Sequence, residues 1–127
     1  MTNFATLNLK DDSGSEVAFT VEGINYQTNV ASWVNTGGFY DESPRATFSL
    51  VPPTARSTRA RMRLKVTIPI MDGVSGTTKV DELIANVELV LPKNSNLNQR
   101  KNLRAYIADF LTDSVVVNAV QNFESVY

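Results

Sequence analysis

Arg45, Thr47, Ser49 and Val51 recur at every second position of RATFSLV, and Arg61, Arg63, Lys65 and Thr67 do the same within RARMRLKVTIPI. Period two is the spacing of a β-strand, whose successive side chains point to opposite faces. Cations and hydroxyls therefore collect on one side, while Ala46, Phe48, Leu50, Met62, Leu64, Val66 and Ile68 collect on the other. A face of this kind suits an anion, because the cations neutralise phosphate and the hydroxyls, which both donate and accept, can address base edges. No Asp or Glu occurs from Arg45 to Met71, so six of the twelve basic residues lie in that stretch without a counter-charge of its own. The same alternation suits a solvated strand face whose charges keep an edge soluble. Three basic residues in strict alternation beside Thr47 and Ser49 favour the nucleic-acid reading.

The rest of the composition removes most other chemistry. The chain has 127 residues with a formal net charge of -1, and it contains neither Cys nor His. Disulfides and thiolate zinc sites are thereby excluded, and the commonest general base and metal ligand is missing. The acidic residues are scattered, as in Asp11-Asp12, Asp41-Glu42 and Asp81-Glu82, with no sign of a paired carboxylate site. No catalytic residues, cofactor or metal ligands are expected. The start, MTNFATLNLK, lacks the basic residues and continuous apolar run of a signal peptide, and no window reaches a membrane span, so no membrane partner is expected. The length suits one domain, residues 1–127.

Phe4 to Lys10 and Val17 to Val21 alternate around the turn residues Asp11-Asp-Ser-Gly14, an N-terminal hairpin. A short irregular link after Gly23 leads to a strand from Val30 to Val34, with Val30, Ser32 and Val34 on one face and Ala31 and Trp33 on the other. Trp33 is expected to anchor the core. Asn35 to Pro44 reads as a loop. Beyond Ile70, Met71 to Thr78 reads as a projecting loop, too long for a tight hairpin. In VDELIANVELVL, Leu83, Ala85, Val87, Leu89 and Leu91 face the core, and Glu82, Ile84, Asn86, Glu88 and Val90 face the charged side until Pro92 ends the strand. The period then changes. Leu103, Tyr106, Ile107, Phe110 and Leu111 form a helical stripe, with Ser95 or Asn96 as its cap. Thr112-Asp-Ser114 opens a second, shorter helix, and Phe123 to Tyr127 is a tail expected to dock. Strands followed by helices make an α+β fold.

This order resembles the coat proteins of the small single-stranded RNA bacteriophages, the levivirus family, over essentially the whole chain. NVASW (29–33), RATFSLV (45–51), RLKVTIP (63–69), ANVELVLP (85–92), the two helices and the NFESVY ending carry the resemblance together. It implies a five-stranded antiparallel sheet preceded by a small hairpin, and two helices that cross to the sheet of a second subunit in an interlocked dimer. It also implies a structural protein that forms an icosahedral shell, with the polar sheet face inward. That face would bind a hairpin in the single-stranded genomic RNA, repressing replicase translation and marking the genome for packaging.

Under the resemblance, the family's adenine-binding positions fall on Val30, Thr47, Ser49, Arg63 and Lys65. Thr47, Ser49 and Lys65 keep the expected type, and Arg63 stands where Thr is usual in some members. Asn86 matches an Asn that contacts the RNA loop. Ile84 replaces a Tyr on which a loop base stacks, and a β-branched aliphatic supplies no such face. With Ser32, Arg45 and Arg61 from the alternation, these residues make the expected RNA surface. Tyr106, Ile107, Phe110 and Leu111 are the expected dimer contacts, and Asp72, Gly73 and Gly76 the expected contacts between dimers. The remaining partner implied is the phage maturation protein, and the implied location is the virion, assembled in the host cytoplasm.

A second reading stays open beside this one: a cellular single-stranded nucleic-acid-binding domain, such as an oligonucleotide-binding barrel, that forms no shell. Aromatics on the basic face would favour it, and Arg61 to Thr67 contains none.

Overall fold

The computed structural model describes residues 4–35, 43–73 and 79–126. The chain divides into two compact units, residues 1–90 and 91–127.

The first unit is an antiparallel sheet. Strands β1 (Leu7–Lys10), β2 (Glu16–Asn25), β3 (Val30–Val34), β4 (Arg45–Val51), β5 (Arg59–Met71) and β6 (Lys79–Pro92) lie side by side in chain order in a single six-stranded sheet. The expected hairpin and the expected five-stranded sheet share β2, and this sharing accounts for the strand count. Its first half pairs with β1, Leu7 opposite Phe19, and its second half pairs with β3, Ile24 opposite Ala31. Of the stretch after Gly23, expected as an irregular link, Ile24 and Asn25 still belong to the strand, and the link proper is the turn over residues 26–29. Register shifts between Val21 and Gly23, so Glu22 is an extra residue and the strand continues past it as a bulge. A bulge interrupts the alternation that reveals a strand, which is why the sequence pattern ends early.

Two turns show why the strands reverse where they do. Asp11 accepts hydrogen bonds at Oδ1 from the Ser13 and Ser15 amides, each at 3.0 Å, and from the Ser13 hydroxyl at 2.7 Å. The hydroxyl bond, with the amide bonds behind it, holds the Asp11 carboxyl below the usual carboxylate range. Gly14 completes the turn at φ +89, where a side chain would be strained. Between β2 and β3, Asn25 Oδ1 accepts from the Gln27 amide at 3.0 Å and the Thr28 amide at 3.3 Å, and Asn29 takes a left-handed φ of 56.

The core of this unit is small and sits around Trp33. Trp33 is buried with Phe19 and Ala46, and Phe4, Leu7, Val17, Ala31, Phe48 and Val66 pack against them. The indole Nε1 donates to the Ala5 carbonyl at 2.8 Å, and the Phe4 ring meets the indole edge to face at 5.1 Å. A buried indole needs such a partner for its single donor. Much of the apolar sheet surface remains open: Leu50, Leu64, Ile68 and Leu83 are exposed.

In the second unit, α1 (Leu97–Thr112) and α2 (Ser114–Asn122) follow the end of β6. Asn96, not Ser95, caps α1, with its side chain accepting from the Gln99 amide at 2.8 Å and its own amide donating to Gln99 Oε1 at 3.1 Å. This reciprocal pair is a capping box. Ser95 instead accepts from Arg100 through its carbonyl, at 2.7 Å. Asp113 caps α2, accepting from the Val115 amide at 2.9 Å. No residue of either helix is buried. In the tail, Phe123 is 94% and Val126 74% exposed on the single chain, and Tyr127 lies outside the described residues.

Candidate nucleic-acid interface

The strand register converts the sequence alternation into a two-dimensional grid. Ser32 pairs with Thr47 and Thr47 with Lys65; Val30 pairs with Ser49 and Ser49 with Arg63. On one side of these rows, Val34, Arg45 and Thr67 form a third row, and on the other Val51 faces Arg61. Directly paired residues of an antiparallel sheet share a face, with Cβ atoms about 4.5–5.5 Å apart. Hydroxyls from β3 and β4 therefore stand beside the cations of β5.

Against this grid, β6 adds Asn86 and Glu88. An open cavity of about 380 Å³ is lined by Val30, Thr47, Ser49, Arg63, Lys65 and Asn86, together with Leu64, Val87 and Glu88. Its volume falls within the ~300–1,000 Å³ of small-ligand sites. Val30 offers an aliphatic wall, Thr47, Ser49 and Asn86 offer uncharged donors and acceptors, and Arg63 and Lys65 offer positive charge. A nucleobase with its phosphate needs these three kinds of contact. Six of the nine residues expected at an RNA surface thus meet around one space. Ser32 continues the Thr47–Lys65 row but is not among the walls, and neither are Arg45 and Arg61.

The electrostatics differ from the sequence expectation. The basic stretch contains no acid of its own, but neighbouring strands supply two. Arg45 Nη1 donates to both carboxylate oxygens of Glu22, at 2.9 and 2.7 Å, so its charge is directed at the β2 bulge. Arg61 donates to Glu88 Oε1 at 2.9 Å, and Arg63 Nε lies 3.6 Å from Glu88 Oε2. Lys65 makes no ion pair among the described residues. The pairing role of Glu88 was accessible from alternation, which puts it on the charged face. That of Glu22 was not, because it depends on the bulge; Gly23 within an alternating segment was the available signal.

Tyr106, Phe110 and Leu111 are exposed, and Ile107 is half-buried. Asp72 is half-buried and Gly73 exposed at the end of β5, while Gly76 lies outside the described residues. Gly73 has room for a Cβ and no left-handed φ, so its backbone there is open to any residue. Ile84 is 50% exposed and offers an aliphatic surface where the resemblance implies an aromatic one. Among the described residues, no group of three or more acidic side chains is placed to hold a metal ion, and no helix is long and apolar enough to cross a membrane.

The family model for the levivirus coat protein matches residues 2–127. Among solved structures, the subunit of the virus-like particle of Beihai levi-like virus 21 is similar to this chain with a TM-score of 0.90 and 18% identity, covering 99% of each chain. That of the virus-like particle of bacteriophage ESE058 has a TM-score of 0.86 and 23% identity, over 99% of this chain and 100% of that one. An unassembled bacteriophage coat protein dimer, described as an RNA-binding dimer, has a TM-score of 0.68 and 15% identity over 99% of each chain. At such identities the likeness is one of fold. No curated protein matches the chain significantly. The alternative of a shell-less cellular barrel is set aside by the family match and by a sheet whose order runs from β1 to β6. With the family model matched from residue 2 to residue 127, the chain belongs to the levivirus coat protein family and is a phage capsid protein, structural in its work.

Proposed function

We propose that this coat protein forms an interlocked homodimer that binds a hairpin of single-stranded genomic RNA through the β3–β6 face, represses replicase translation and marks the genome for packaging. The observation that carries the RNA reading is the meeting of Val30, Thr47, Ser49, Arg63, Lys65 and Asn86 around one open cavity on the basic face. The description of a structurally similar phage protein as an RNA-binding dimer supports it.

The dimer reading rests on two uncovered apolar surfaces of one chain. Tyr106, Phe110 and Leu111 on α1 are 70%, 57% and 57% exposed, and Leu50, Leu64, Ile68 and Leu83 of the sheet are exposed as well. Surfaces of this kind are covered in the working assembly, and a two-fold axis lets each chain's helices cover the other's sheet. Such a contact is of obligate type, above ~2,000 Å² in total. Asp72, Gly73 and Gly76 then belong to the loop that meets its copies between dimers. The maturation protein is the remaining partner, residues 1–127 act as one domain, and assembly takes place in the bacterial cytoplasm.

The test is expression in bacteria followed by electron microscopy of the particles and sequencing of the RNA they enclose. Icosahedral particles enriched in one hairpin-bearing transcript are expected when that transcript is co-expressed. Particles with RNA drawn at random from the host would show that packaging is not marked by a hairpin.

A further inference from the structure

We propose that Tyr26, in the turn between β2 and β3, is a stacking platform for an unpaired RNA base next to the one held in the cavity of the basic face. The proposal rests on the RNA-binding reading above and adds a residue outside the strands that build that face. Tyr26 is 81% exposed, and its side chain makes no hydrogen bond or ring contact among the described residues. The turn itself does not require an aromatic there. Asn25 supplies the acceptor for the Gln27 and Thr28 amides, and Asn29 supplies the left-handed residue. These contacts hold the backbone on both sides of Tyr26, so little ordering is left to oppose binding.

Strand register puts the turn beside the cavity. Asn25 is the direct partner of Val30, Val30 pairs with Ser49, and Ser49 pairs with Arg63. From Val30 onward that row lines the cavity. Paired Cα atoms lie within about 5.5 Å and consecutive ones about 3.8 Å apart, so the Tyr26 Cα is within about 9 Å of that of Val30. The cavity walls supply hydrogen bonds, charge and the aliphatic Val30, Leu64 and Val87, and none of them is aromatic. Unpaired RNA bases are held by stacking on aromatic side chains as well as by hydrogen bonds at their edges. The walls can therefore read one base, and Tyr26 offers the flat face that its neighbour lacks. A second copy of the chain is the competing occupant of an exposed ring. RNA is favoured because the turn continues the row whose other members line the cavity.

The test uses purified dimers and a hairpin enriched from a random-loop RNA pool on the unaltered protein. A stacked base is worth enough that Tyr26→Ala should weaken binding between about 5- and 140-fold. The dependence of affinity on salt should keep its slope, because a ring displaces no counterions. Tyr26→Phe should bind nearly as the unaltered protein does, whereas Tyr26→Leu, apolar but without a π-face, should resemble Tyr26→Ala. In Tyr26→Trp, emission from the new indole should be quenched as the hairpin saturates the protein, measured against the unaltered chain, whose single Trp33 is buried. Undiminished binding in Tyr26→Ala overturns the proposal, as does equal loss in Tyr26→Phe, which would make the hydroxyl the contact. Normal RNA binding with impaired shells in Tyr26→Ala would assign the ring to a second copy and overturn it too. If Lys65→Ala weakens binding while Tyr26→Ala does not, the RNA reading stands and the stacking role alone fails. If the unaltered protein enriches no hairpin and binds no RNA at low salt, the RNA reading fails first and takes the proposal with it.

Discussion

Glu22, the extra residue of the β2 bulge, accepts both its hydrogen bonds from a single nitrogen of Arg45, at 2.7 and 2.9 Å. An arginine that alternation places on the RNA surface is thereby committed to the sheet. Arg45→Ala should leave the salt slope of RNA binding unchanged and lower stability by no more than about 1 kcal/mol, because the pair is partly exposed and screened. Urea unfolding at fixed protein concentration and RNA binding at several salt concentrations measure the two effects. A flattened slope would mean that Arg45 leaves Glu22 for phosphate.

Lys65 and Asn86 should separate charge from shape. Lys65→Ala should weaken binding of every RNA and flatten the slope by about 0.7, one phosphate's worth for a single strand. Asn86→Ala should reduce the preference between two hairpins and leave the slope nearly unchanged, because an amide reads base edges without displacing counterions. Equal loss of preference in both variants would contradict this division.

Phe110 is 57% exposed on α1 and is proposed to be covered by the partner's sheet. Phe110→Asp would bury an unpaired carboxylate in that contact, a cost far above that of a lost apolar contact. No soluble dimer should be recovered. A folded monomer with native circular dichroism would sink the interlocked arrangement.

Gly14 and Gly73 should differ sharply. At Gly14 the backbone has φ +89, so Gly14→Ala should cost about 1–2 kcal/mol of stability through left-handed strain alone. Gly73 has an ordinary φ and open space, so Gly73→Ala should be neutral or stabilising by up to ~1 kcal/mol through the unfolded chain. Dimer unfolding midpoints at equal concentration compare the two.

Asp11 makes the first turn sensitive to acid. Its folded pKa is lowered, chiefly by the Ser13 hydroxyl, so the turn's stabilisation is present above the unfolded value of about 3.9 and is lost as pH falls through the lower folded value. The Ser13 and Ser15 amide resonances should therefore move together below about pH 4. In Asp11→Asn, which keeps an acceptor and does not titrate, those resonances should stay flat over the same window.

The sequence by itself determined the strands from Val30 onward, the helical stripe, the buried Trp33 and the face to which each residue of RATFSLV and RLKVTIP belongs. Those properties are local: they follow from periods of two and 3.6 and from caps such as Asn96 and Asp113, whose partners lie within three residues. Tertiary structure alone decided which residues sit opposite one another. Glu22 lies 23 residues from Arg45, and Glu88 lies 27 from Arg61, so neither pairing is written in a local pattern. The bulge at Glu22 also breaks the alternation just where it would have revealed that β2 continues. Register converted a segment apparently free of acids into a surface where Arg45, Arg61 and Arg63 meet carboxylates and Lys65 meets none among the described residues. Coulomb energy depends on separation in space, and only the pairing of strands brings charges this far apart in the chain to within 4 Å.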